Sequence, residues 1–162
     1  MTPSSGSMHV KKGAGDALWF MGELYEIKVD GSARGGPTVV QVTVPPGPAL
    51  GAPPHVHDCD EVAYVVEGTL RFHFGDQTED AGPGSVLHFP KGTPEWFENT
   101  TKQAAKLFIV YSGGRIASFF KEVAQPAKTR TLPPPQAQPD LEKLGKIART
   151  YGLEIGAPPH SS

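Results

Sequence analysis

A chain of 162 residues with 38% hydrophobic content is long enough to bury one core and too short for two comfortable ones. Lys and Arg number 15 against 17 Asp and Glu, giving a net charge of -2, and no basic run interleaves with aromatics, so a nucleic-acid partner is not expected. No apolar run approaches a membrane span, and a single cysteine, Cys59, excludes an internal disulfide; a soluble, cytoplasmic protein with no membrane partner is expected.

Gly 19 and Pro 17 punctuate short apolar runs, the pattern of an all-β chain with many turns. Residues 1–17 read as a flexible tail, and Lys11, Lys12, Gly13, Gly15 and Asp16 interrupt Val10–Met21, so a signal peptide is not expected. Leu18–Met21 and Glu23–Val29 read as two edge-type strands joined by Gly22. Asp30–Pro37 is a loop by composition. Thr38–Val44, rich in β-branched residues, is a strand. Pro45–Pro54 holds five prolines and two glycines and forms a rigid connection that delivers the chain to His55.

Glu61–Glu67 is the next strand, turned by Gly68 into Thr69–Phe74, where Leu70, Phe72 and Phe74 alternate with Thr69, Arg71 and His73. Gln77–Ala81, Ser85–Phe89, Glu95–Asn99 and Ala104–Tyr111 follow as short strands between Gly- and Pro-containing turns. This spacing argues for a small barrel or sandwich over a parallel α/β sheet. After Gly113-Gly114 the period changes: Ile116, Phe119, Phe120 and Val123 mark an amphipathic helix. Residues 126–139 form a proline-rich strap, and Asp140 caps a second helix with Leu141, Leu144, Ile147, Ala148 and Tyr151 as its stripe and Gly152 as its stop. Both helices are expected to cover the barrel's outside or a neighbouring subunit and to carry no chemistry. The chain thus divides into the tail, a barrel with a flanking helix over residues 18–125, and a strap with a helix packed on it over residues 126–162.

The chemistry concentrates at His55-Val-His57-Asp-Cys-Asp-Glu61. Side chains in an extended strand alternate faces, so His55 and His57 point the same way, and Glu61 joins them if the loop allows. Two imidazoles and one carboxylate make a metal site with positions open to a ligand.

His55-x-His57-x3-Glu61-x6-Gly68 resembles the first signature of the cupin superfamily, and Gly84-x5-Pro90-x-Gly92-x6-Asn99 resembles the second. The wider layout, with its proline-rich tail and a helix ending in Tyr151-Gly152, is similar to small single-domain quercetin-dioxygenase-like cupins. The resemblance implies an all-β, antiparallel jelly-roll barrel with one or two C-terminal helices and a divalent transition metal (Fe, Mn, Ni or Zn) inside. His55, His57 and Glu61 fall on ligand positions. It also implies a homodimer, for which Leu18–Met21 and Ile116–Val123 would suit the interface. Where the second signature usually has a histidine ligand, this chain has Glu95. Three readings stay open: Glu95 is a fourth ligand favouring a hard ion such as manganese or iron, a general base beside a three-ligand site, or the mark of a decayed site that binds an organic ligand. His88, Tyr64 and Trp96 are candidates for the pocket wall.

Two functions follow. One is a metal-dependent enzyme, dioxygenase-type by resemblance or else an isomerase or cyclase, acting on a small, aromatic or enolic metabolite with Glu61 or Glu95 accepting the substrate proton. The other is a non-catalytic binder of small molecules on the same barrel.

Overall fold

The computed structural model describes residues 6–33, 35–47 and 53–156. The middle of the expected proline-rich connection, residues 48–52, lies outside them. In chain order the elements are β1 (Asp16–Phe20), β2 (Glu23–Val29), β3 (Thr38–Val44), β4 (His55–His57), β5 (Glu61–Glu67), β6 (Leu70–Phe74), β7 (Gln77–Ala81), β8 (Val86–Phe89), β9 (Glu95–Glu98) and β10 (Ala105–Tyr111). Then come α1 (Arg115–Val123), β11 (Gln125–Pro126), α2 (Leu141–Thr150) and β12 (Leu153–Ile155). The strands form two antiparallel sheets, in the orders β11-β1-β2-β3-β10-β5-β8 and β12-β4-β9-β6-β7.

Alternation builds the interior as expected. Val40, Val42 and Val44 of β3 are buried beside Leu107 and Ile109 of β10, and Ala63 and Val65 of β5 complete that wall. Across the core, Phe72 is fully buried, stacked at 6.1 Å on Phe89 and tilted against Phe97 at 5.6 Å. The β1–β2 hairpin turns at Met21 and Gly22, both with positive φ (55° and 80°), which matches the strand twist as a type I′ turn does. Gly68 of the first signature has no substitute: at φ +73° a Cβ there would lie 2.7 Å from the Ala104 carbonyl oxygen.

β2 departs from half-buried alternation, because Leu24 and Glu26 on its outer face are buried too. The strap covers them. Trp19 Nε1 donates to the Thr131 carbonyl at 2.8 Å, Gly22 N to Gln136 Oε1 at 3.0 Å, and Arg130 pairs with Glu26 at 2.9 Å.

The helices form where their periodicity places them, and Asp140 accepts a hydrogen bond from Lys143 N as a true N-cap. Their position differs from expectation. Instead of lying on the outside, α1 follows directly from the end of β10 and turns Ile116, Phe119 and Phe120 into the open end of the barrel. Leu144 of α2 joins them there, and β12, which the sequence did not announce, adds a strand beside β4.

Candidate metal centre

The site sits at the end where β5 and β9 begin and β10 stops. In the ladders Tyr111 faces Glu61, Phe74 faces Glu95, and Glu95 faces His55. Period-two alternation then sends His55, His57, Glu61 and Glu95 inward, where one ligand atom from each lies within 4.8 Å of the other three. His57 Nε2 is 3.1 Å from Glu61 Oε2 and 3.4 Å from Glu95 Oε1, while His55 Nε2 is 3.2 Å from Glu95 Oε1. Glu61 and Glu95 are 3% and 2% exposed.

One hydrogen bond fixes what this cluster wants. His55 Nδ1 lies 2.8 Å from the Pro53 carbonyl oxygen, which can only accept, so Nδ1 carries a hydrogen and Nε2 is the ring nitrogen left to face the cluster. His57 Nε2, Glu61 Oε2 and Glu95 Oε1 are buried without a hydrogen-bond partner. Acceptors converging on one point, away from water, call for a cation. Protons fill part of that role whenever no cation is held. Burial, reinforced by the Glu95 charge, pushes the Glu61 carboxyl well above the usual carboxylate range. Burial also opposes ionisation of Glu95, but the charge of a protonated His55 and the close approach of both imidazoles outweigh it and hold Glu95 low. His55 loses to burial and gains more from Glu95, ending above the ordinary imidazole value. A divalent cation offsets both carboxylates at once. The donor set of two nitrogens and two carboxylate oxygens is that of Mn, Fe, Ni or Zn sites, with oxygen favouring the harder ions.

A third buried carboxylate accompanies them. Glu23 is 1% exposed, shares its strand face with Tyr25 and Ile27, and accepts a hydrogen bond from Tyr25 Oη at 2.9 Å. Burial drives its pKa up to about 8, although Tyr25 and the charge of His55 pull the other way. Sequence reasoning passed over Glu23. Its signal was parity: in a strand, the residues two and four before Ile27 share the face of Ile27.

The three pocket candidates lie elsewhere. His88 is exposed and sits 3.7 Å from Asp60 on the outer face. Tyr64 is 45% exposed, also outside. Trp96 stacks flat on His73, with ring centroids 3.9 Å apart, on the outer face of the smaller sheet. The actual wall is apolar. Beside His55, His57 and Glu61 lies a cavity of about 40 Å³ lined by Tyr25, Tyr111, Phe119, Phe120, Leu153 and Ile155, among others. The ring of Tyr111 packs 5.2 Å from that of His57.

A cupin domain model matches residues 40–111, which contain all four converging side chains. Over that stretch the chain is similar to the cupin domain. Solved structures share its fold. The polyketide cyclase RemF from Streptomyces resistomycificus is 22% identical, with a TM-score of 0.57 over 65% of this chain and 78% of that one. A predicted oxalate decarboxylase from Thermotoga maritima is 17% identical, with a TM-score of 0.59 over 65% of this chain and 99% of that one. An RmlC-like cupin from Shewanella frigidimarina is 16% identical, with a TM-score of 0.57 over 69% and 96%. At these identities the likeness is one of fold. No curated protein matches the sequence. Among the described residues no helix is long and apolar enough to cross a membrane. The matched region ends at Tyr111, so α1, the strap, α2 and β12 lie outside it.

Proposed function

We propose that this cupin is a divalent-metal-dependent enzyme, dioxygenase-type, acting on a small metabolite that ligates the metal through oxygen. The observation that carries the reading is the set of orphaned buried acceptors on His57, Glu61 and Glu95 around a point that His55 also faces. Glu95 is read as the fourth ligand, because its Oε1 lies between both imidazoles instead of facing the cavity as a free base would.

When bound, a transition metal supplies Lewis acidity and the redox capacity that dioxygen chemistry requires. The chain supplies the rest. His55 is oriented by the Pro53 carbonyl, and the aromatic and aliphatic wall excludes water, which strengthens every charge interaction inside. Glu61, unlike Glu95, lines the cavity and is the carboxylate placed to exchange a proton with a molecule bound there. The Tyr25 hydroxyl, backed by Glu23, lines the same cavity and is placed to hold a proton there.

The deciding experiment is metal analysis of protein purified without chelator. Stoichiometric iron, manganese, nickel or zinc that disappears in His57→Ala supports the enzyme. Metal-free protein that stays fully folded favours a non-catalytic binder instead.

A homodimer is also proposed, through a different face from the one expected. Trp19 is covered by the chain's own strap, Leu18 and Met21 belong to the hydrophobic core, and Ile116, Phe119 and Phe120 are covered by the barrel. Val62, Tyr64, Val86 and Val110 stay exposed as cross-strand neighbours on β5, β8 and β10. Light scattering giving twice 17.3 kDa, and 17.3 kDa for Tyr64→Lys, is the expected result; a monomeric wild type refutes it.

A further inference from the structure

The end of the barrel that gives onto the metal centre is closed by the C-terminal segment. β12 runs antiparallel to β4, with Leu153 opposite His57 and Ile155 opposite His55. Asp58 N donates to the Gly152 carbonyl at 3.1 Å and Gly156 N to the Pro54 carbonyl at 3.0 Å, extending the ladder at both ends. Gly152, at φ +78°, makes the sharp turn out of α2; a Cβ there would strike the Asp58 carboxylate. Leu153 is buried, and with Phe119, Phe120 and Leu144 it reduces the space beside the cluster to about 40 Å³. That volume holds roughly one to three water-sized atoms. Sites for larger organic ligands run to about 300 Å³ or more.

β12 is built to leave. It is three residues long and outermost in its sheet, so its departure breaks no other strand pair. The strap remains tied to the β1–β2 hairpin through Trp19 and Gly22, independently of β12. Resting on the metal-centre reading above, we propose that β12 is a selectivity gate. Paired with β4, it admits to the metal only ligands of two or three heavy atoms, the size of dioxygen or azide. A larger organic ligand enters only when the β12–β4 ladder opens. Leu153 and Ile155 are therefore specificity-determining residues, acting by size and by the order in which ligands gain access.

A reversible staple tests this. Val56 and Glu154 are direct partners in the ladder, on the faces opposite to His55, His57, Leu153 and Ile155. Directly opposed strand residues have the Cα separation a disulfide needs. The probe is Val56→Cys with Glu154→Cys in a Cys59→Ser background, loaded with cobalt(II) under argon and titrated with azide and with catechol. Reduced protein should show its cobalt absorption bands moved by both ligands. Oxidised protein should keep its azide affinity and lose catechol affinity by about tenfold or more, as expected when the competent state is locked out. Leu153→Ala in the unstapled protein should speed catechol binding without changing azide affinity, and it serves if the staple does not form. Equal catechol affinity in both redox states, with no effect of Leu153→Ala, overturns the gate and leaves the metal centre standing. Cobalt bands that neither ligand moves also overturn it. Absence of cobalt bands in the wild type overturns the metal reading, and the gate with it.

Discussion

His55 and Glu95 lie directly opposite each other across β4 and β9, with the imidazole Nε2 3.2 Å from the carboxylate Oε1. A cross-strand pair of this kind replaces the expected imidazole with an oxygen donor at an inward-facing position. Glu95→His should therefore retain stoichiometric metal, because the backbone already aims position 95 at the cluster. Glu95→Gln, nearly isosteric but uncharged, should lower affinity by about tenfold or more. Metal content after dialysis reads both, and a Glu95→His protein that emerges empty would remove Glu95 from the ligand set.

Metal uptake should release protons. Glu61, pushed up by burial and by Glu95, and His55, raised chiefly by Glu95 against the opposing effect of burial, hold protons that a cation must displace. Affinity then rises with pH, by up to about tenfold per unit for each proton released. Calorimetry in phosphate and in Tris should give different apparent enthalpies for zinc binding; identical enthalpies would mean that no proton leaves.

Glu23 should make the metal-free protein less stable as pH rises. Its carboxyl ordinarily titrates at 4.5 and in the fold at about 8. Below 4.5 it is neutral in both states and contributes no difference. Between 4.5 and 8 the unfolded chain ionises while the native state keeps its proton, so each unit costs about 1.4 kcal/mol. Above 8 both states ionise and the loss levels off. Glu23→Gln keeps an acceptor for Tyr25 and removes this loss. In chelator, the gap between urea midpoints at pH 5 and pH 8 should be smaller for the variant than for the wild type; an equal gap would remove Glu23 from the titration.

The two faces of the smaller sheet should respond differently to truncation. Phe72 is fully buried between Phe89 and Phe97, and Phe72→Ala should cost about 3–5 kcal/mol. Trp96 packs on His73 outside the core, and Trp96→Ala should cost about 1 kcal/mol and leave metal content unchanged. Loss of metal in Trp96→Ala would put that ring back in the pocket.

Much of this site was legible before any coordinates, and more was legible than was read. The His55, His57 and Glu61 spacing carries their convergence, because a strand fixes which residues share a face. The same parity argues against the three pocket candidates. If Glu95 points inward, its neighbour Trp96 points out; if Phe89 does, His88 does not; and Tyr64 stands an odd number of positions from Glu61. Glu23 would have emerged from the same rule applied to Ile27.

The sequence alone determined most of the strands, the turns and the side chains of the candidate site, since backbone alternation and the needs of Gly68 and Asp140 are local properties written within a few residues. Only the tertiary structure decided that Leu153 and Ile155 come to lie beside His57 and His55, and that α1 turns inward across the barrel's open end. Those contacts join segments far apart in the chain. They are selected by how the whole apolar surface is buried, which no local period encodes.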